Sequence, residues 1–175
     1  MTISNFGVEL RRIIHSDLEL IRFWRNSDYV KQYMVFRDYI SPEMQSAWFK
    51  RIDNDCNYYF LIIVENTPVG LANIKDIDVA EKRGESGIFL SSPEFVDGDL
   101  GIRATIVLLD FAFNQLELTQ LNQTITEANQ AAQNFNKHLG VQIVDSENGV
   151  SKGILLKNNY FSKTNKIRKI LNKYI

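Results

Sequence analysis

The sequence predicts a mixed α/β chain of the α+β kind, with one central, mostly antiparallel sheet and helices flanking it. Three observations predict this. The 175 residues are 45% apolar and 11% aromatic, enough for one full core. Three β-rich stretches, residues 58–64, 69–77 and 85–90, are divided by short polar turns and read as an antiparallel meander. From Gly98 onward the order becomes glycine loop, helix, strand, helix, strand, which is the order of a parallel crossover.

Taken in order, residues 8–14 are β-rich and form an opening strand. Ser16 and Glu19 have the spacing of a capping box. Leu18, Ile21 and Trp24, then Val30, Tyr33 and Met34, repeat at helical spacing with a break around Asn26–Asp28. A second helix starts at Ser41, with Pro42 in its first turn and Met44, Trp48, Phe49 and Ile52 as its apolar face. Residues 58–64 are continuously apolar, as in a strand buried on both faces. Residues 65–68 and 81–84 are the turns of the meander.

Beyond the loop of Gly98 and Gly101, Ile102, Ile106, Leu109, Phe113 and Leu116 mark a helix. Leu108, Phe111 and Ala112 widen its apolar face, so this helix is largely buried. A strand over 121–127 and a helix over 130–139 follow, with Gly140 as its C-cap. Residues 141–144 and 151–156 close the sheet as a pair of strands.

Charge is unevenly laid out. The chain carries 20 basic and 21 acidic residues, a net of −1. Residues 1–156 hold 14 basic against 21 acidic residues, or −7, and residues 157–175 hold six basic residues and no acidic one. The division expected is therefore a domain over 1–156 and a basic amphipathic helical extension over 157–175. In the extension, Ile167, Ile170, Leu171 and Tyr174 lie opposite Lys166, Arg168, Lys169 and Lys173. A helix docked on the domain or on a second copy, a membrane-surface or RNA contact, and an unstructured end all fit that pattern.

One cysteine, Cys56, and two histidines, His15 and His138, exclude a disulfide framework and a Cys- or His-built metal site. Glu9, Arg11 and Arg12 interrupt any secretory-type apolar run near the start, and no stretch is long enough to cross a bilayer. The expectation is a cytoplasmic protein with no metal, no DNA partner and no transmembrane segment.

The candidate site begins at the glycine loop. A turn between a strand and a buried helix gathers free backbone amides at the positive end of the helix, where a phosphate or pyrophosphate is favoured. Asp97 and Asp99 oppose this, because carboxylates repel a phosphate unless they point away.

The helix segment Gly101-Ile102-Arg103-Ala104-Thr105-Ile106-Val107-Leu108-Leu109-Asp110-Phe111-Ala112-Phe113 resembles the helix after the acetyl-CoA pyrophosphate loop of the GNAT superfamily of N-acetyltransferases. Asn129, Ala132 and Gly140-Val141, Ser41-Pro42-Glu43 with Trp48-Phe49, and Pro68-Val69-Gly70 fit the same family pattern over roughly residues 8–156. The resemblance implies that the family's fourth and fifth strands, here 85–90 and 121–127, run parallel and splay apart. It implies acetyl-CoA as co-substrate, with pantetheine pairing along Phe89, Leu90 and Ser91. Pyrophosphate would sit on the loop of Asp97, Gly98, Asp99, Leu100, Gly101 and Ile102, with Asn129 contributing from the next helix, and an amide near Leu90 would stabilise a developing oxyanion.

Two departures are visible. The family's Arg or Gln followed by Gly-x-Gly is Val96-Asp97-Gly98-Asp99-Leu100-Gly101 here, and Asn136 stands where many members carry a tyrosine that protonates the leaving thiolate.

For acid–base chemistry, direct transfer needs a neutral amine, and Glu85 acting through water is the candidate base, with a structural pairing to Lys75 or Arg83 as the alternative. On the acceptor side, Trp24-Arg25-Asn26, Met34, Gln45 and Lys75 are candidate substrate-binding residues. The first four resemble the subset that acetylates nucleotide-linked amino sugars, including the pseudaminic-acid pathway; relatives acting on ribosomal-protein N-termini share Arg-Asn. The preferred acceptor is thus the primary amine of a nucleotide-linked amino sugar. The alternatives are a protein N-terminus and a non-catalytic acyl-CoA-binding module, and a homodimer is compatible with any of them.

Overall fold

The computed structural model describes residues 1–96 and 98–174. Fourteen elements run in the order β1 (Thr2–Asn5), β2 (Val8–Arg12), α1 (Leu18–Asn26), α2 (Asp28–Lys31), α3 (Pro42–Ile52), β3 (Tyr58–Val64), β4 (Thr67–Asp78), β5 (Arg83–Leu90), α4 (Leu100–Asp110), β6 (Gln120–Thr126), α5 (Gln130–Leu139), β7 (Gln142–Glu147), β8 (Val150–Leu156) and α6 (Lys157–Leu171), with short 3-10 and π turns between them. One sheet joins the strands in the order β1-β2-β3-β4-β5-β6-β8-β7, and every neighbouring pair is antiparallel except β5–β6.

The meander and the crossover both form, with local differences. A short strand, β1, precedes the expected opening one; Phe6 and Gly7 take positive φ and close its hairpin. Ser16 and Glu19 make no capping box. Instead Asp17 accepts the Ile14 N–H at 2.8 Å and pairs with Arg11 at 2.8 Å, while Glu19 pairs with Arg22. On α3 the buried face carries Gln45 rather than Met44, which is 46% exposed. Thr67 and Pro68 belong to β4, because Glu65 and Asn66, both at positive φ, complete the turn alone. The second turn ends at Lys82, so Arg83 and Gly84 open β5. The helix after the glycine loop is α4, and it ends in a π-helical turn at Phe111–Gln115.

Each face of the sheet has its own core. Leu10, Phe60, Ile62, Ala72 and Ile74 meet α4, whose Ala104, Ile106, Leu108 and Leu109 are almost wholly buried. Leu61, Leu71 and Tyr59 meet α1 and α3 through Ile21, Trp24 and Ile52 on the other face. Residues 157–171 are helical and join the first of these cores through Tyr160 and Leu171, while Ile170 points to solvent at 64% exposure. No helix among the described residues is long and apolar enough to cross a membrane.

Candidate functional site

The sheet parts at one place. β5 and β6 pair only at Arg83–Gln120, Gly84–Leu121 and Glu85–Asn122; beyond Glu85 the two parallel strands have no ladder. Gln123 spans the gap at its base, its Nε2 donating to Ser86 Oγ at 3.3 Å. Further along β6, Gln123 Oε1 and Thr126 Oγ1 are buried without a partner. An unpaired strand edge with orphaned acceptors opposite is an opening suited to an extended, amide-bearing ligand.

The pairing of β4 with β5 decides which groups face that opening. Ser91 N–H donates to Val69 O at 2.9 Å, so Ser91, and by antiparallel alternation Phe89, direct their backbone toward β4. Leu90, with Ile88 and Ser86, therefore directs its N–H and C=O to the parted edge. Of the expected trio Phe89–Ser91, Leu90 has the free backbone. Gly70 lies opposite Leu90, and a Cβ there would fall 2.3 Å from Phe89 O, so only glycine permits this close approach.

The loop from β5 to α4 supplies the second component. Gly98 holds φ +105, the conformation glycine allows, and α4 begins two residues later. Asp99 occupies the N-cap position of α4 but makes no side-chain cap bond. The first amides of α4, from Leu100, Gly101 and Ile102, are therefore not capped by the residue placed to do so. Asp97 lies outside the described residues. Asn129 caps α5, its Oδ1 accepting Ala132 N–H at 3.0 Å. Asn136 sits one helical turn from Ala132 and donates to that residue's carbonyl at 2.9 Å.

The third component lies on the α1–α3 face. Lys75 and Glu85 form a cross-strand pair, Nζ to Oε1 3.1 Å, and Asp76 also reaches Lys75 at 3.4 Å. Burial pulls the Lys75 ammonium down, but Glu85, by charge and hydrogen bond, and Asp76 outweigh it and leave its pKa raised. One rung along, Asn73 faces Gly87, and its Nδ2 is buried without a partner. Arg25 extends from α1 toward Tyr59, and burial holds its guanidinium below the usual arginine range. Its Nη2 reaches Phe36 O at 3.4 Å, but its Nε is buried and unpartnered. Gln45 on α3 is in the same position, with Nε2 buried and free. Burial also raises the Tyr59 phenol.

Three residues grouped with these by sequence make contacts within the fold. Trp24 is buried, edge-on to Phe89, and Asn26 clamps the backbone of Ile40 with both halves of its amide, at 2.8 and 2.9 Å. Met34 packs at the margin of the same core. Asn73 was not singled out by sequence, although its spacing of two from Lys75 puts both side chains on one face of the strand.

Among the described residues no cluster of His, Cys, Asp and Glu could hold a metal. What the fold does offer is an unpaired strand edge at Leu90 and, at the start of α4, helix amides that Asp99 does not cap, with the Glu85 carboxylate at the base of the parting. Such features suit an acyl-CoA-dependent transferase.

Residues 8–142 match the family model described as an acetyltransferase (GNAT) domain, and the chain belongs to that family. It is similar to the spermidine N(1)-acetyltransferase of Escherichia coli K12, 25% identical over 141 residues, covering 80% of this chain and 75% of that protein. Among solved structures it superposes on a spermidine N-acetyltransferase from Vibrio cholerae in complex with CoA and spermine, with TM-score 0.79, 20% identity and coverage of 90% of this chain and 99% of that one. It also superposes on FdhC, described as a nucleotide-linked sugar GNAT, with TM-score 0.81, 20% identity and 98% of both chains covered. The protein is an acetyl-CoA-dependent N-acetyltransferase of the GNAT type.

Proposed function

We propose that the acceptor is the primary amine of a small molecule rich in oxygen acceptors, a nucleotide-linked amino sugar being the class preferred. The observation that carries this reading is the set of buried, unpartnered donors on the acceptor face: Arg25 Nε, Gln45 Nε2 and Asn73 Nδ2. Buried donors without partners are costly, by about 1–3 kcal/mol each, and a ligand that supplies acceptors removes that cost. Arginine is suited to a diphosphate, because its planar fork binds two phosphate oxygens at once. The match in fold to FdhC across 98% of both chains supports the same reading.

In this reading acetyl-CoA supplies the activated acetyl group as a thioester. The amides of residues 98–102 hold its diphosphate, and the parted edge at Leu90 orients its pantetheine arm. Glu85 lies at the base of the parting, where the ladder with Asn122 ends, and takes the amine proton through a water. Asn136 has no proton to give at neutral pH and is turned onto Ala132 O, so the thiolate is protonated by solvent.

A polyamine acceptor is the second reading, favoured by the E. coli spermidine acetyltransferase relative. A polycation needs free carboxylates. Glu85 is held by Lys75, Glu19 by Arg22, and Glu43 by Ser41 at 2.6 Å, whereas Asp28 and Asp38 are exposed and form no ion pair among the described residues. The test is thiol release from acetyl-CoA with UDP-linked and other nucleotide-linked amino sugars, with spermidine, and with N-terminal peptides. Turnover with a nucleotide-linked sugar at micromolar KM is the expected result; turnover with spermidine alone overturns the sugar reading.

A further inference from the structure

An aspartate at the N-cap of a helix ordinarily turns its carboxylate onto the amides two and three residues on, here those of Gly101 and Ile102. Asp99 does not. Its Oδ1 accepts from Arg103 Nε at 3.0 Å, and its Oδ2 accepts from Tyr174 Oη at 2.7 Å with Lys173 Nζ at 3.6 Å. The arrangement is cross-braced: Arg103 also donates to Phe6 O at 3.0 Å and stacks on the Tyr174 ring at 4.3 Å. Two of the three groups facing Asp99 come from the end of the chain, just past Leu171, whose burial anchors α6. These partners, Tyr174 foremost, keep the Asp99 pKa lowered, so the group drawn aside is an anion.

We infer that Tyr174 and Lys173 are positioning residues for the cofactor: they hold the Asp99 carboxylate off the first amides of α4, leaving those amides open to a diphosphate. The inference rests on the reading that the diphosphate binds at residues 98–102. Without Tyr174 and Lys173, Asp99 keeps only Arg103, at Oδ1, and its freed Oδ2 turns inward to cap α4 as an aspartate there normally does. It then occupies the amides and sets a like charge against the phosphates. An acidic loop and a basic chain end thus become one device, and part of the tail's positive charge acquires a function.

The test is CoA affinity by calorimetry on the full chain. Tyr174→Phe combined with Lys173→Ala keeps the ring over Arg103 and should weaken CoA about tenfold, equivalent to about 1.4 kcal/mol. The KM for acetyl-CoA should rise with it, while kcat at saturation is unchanged. Adding Asp99→Ala should restore affinity to within about twofold of the parent chain. An unchanged affinity in the double variant overturns the inference. A loss that Asp99→Ala does not restore also overturns it, because Lys173 would then be touching the cofactor itself. Gly98→Val, which cannot hold φ +105 without strain, separates the underlying reading. If CoA binds that variant normally, the placement of the diphosphate falls and the inference falls with it; if only Gly98→Val weakens binding, the inference alone falls.

Discussion

Lys75 and Glu85 face each other across β4 and β5, with Nζ 3.1 Å from Oε1, on the last rung before β5 parts from β6. The pair fixes a carboxylate at the base of the opening. In the proposed mechanism this carboxylate receives the proton of the attacking amine through a water.

Glu85→Gln should therefore lower kcat/KM at pH 7 by about 10²-fold, within the range of a lost general base. The deficit should shrink as pH rises toward the alkylamine pKa of about 10, where the nucleophile is neutral without help. A pH–rate profile of both proteins checks this. A deficit constant across pH removes Glu85 from proton transfer and leaves it a structural partner of Lys75.

Arg25→Met should separate binding from stability. The Arg25 Nε is buried without a partner, so an apolar chain of similar length should hold or slightly raise the melting temperature. The KM for a phosphate-bearing acceptor should rise about 10- to 100-fold, as expected for a lost charged hydrogen bond. Melting curves and acceptor titrations on one preparation test both halves.

Asn136→Tyr should raise kcat with the acetyl-CoA KM little changed, because it places an ionisable hydroxyl where the wild-type amide is turned onto Ala132 O. The expected gain is about 3- to 10-fold, read in steady-state thiol release. No gain, in a variant that still binds CoA, means that reprotonation of the thiolate is not limiting.

The long elements were legible in the sequence because their patterns are strong. The apolar run 58–64, the buried helix near 102–113 and the Gly140 cap, at φ +99, all stand where periodicity and turn chemistry put them. The boundaries slipped where a local pattern had a competitor. Ser16 had the spacing of a cap, but Asp17 combines the Ile14 amide with the Arg11 pair and prevails. Met44 matched the apolar face of α3, yet Gln45 is the residue turned inward. The site was harder still. Loop amides follow from element order and the parting of two strands from the family resemblance, whereas the bond between Asp99 and Tyr174 depends on a contact far apart in the chain. Nothing in the basic tail distinguished Tyr174 from its neighbours until the fold brought it to α4.

The other end of that helix makes a stability prediction. Asp110 closes α4 and receives both terminal nitrogens of Arg168, one at 2.7 Å, and the Tyr160 hydroxyl at 2.9 Å. Asp110→Ala removes the anion from this cluster, leaving the Arg168 guanidinium to the Thr164 and Tyr160 hydroxyls and the buried phenol to the Ile106 carbonyl at 3.2 Å. Both charged side chains are 22% exposed, so water offsets part of the loss, and the expected cost is about 2–3 kcal/mol, at or below the low end of the range for a broken buried pair. Arg168→Met should cost less, about 1–2 kcal/mol, because Tyr160 still donates to the carboxylate.

The same cluster sets an alkaline limit. Burial first, then the Asp110 charge, raises the Tyr160 pKa above the ordinary value, so the phenol's contribution is complete below about pH 10, where the unfolded tyrosine begins to ionise. Above that pH the unfolded chain releases a proton that the folded one retains, and stability falls as pH rises, by up to about 1.4 kcal/mol per unit from this one group. Tyr160→Phe should lower stability at pH 8 and yet flatten the decline between about pH 10 and 11.5. Denaturant titrations of the two proteins at four pH values distinguish this from a plain packing defect, which would shift both curves equally.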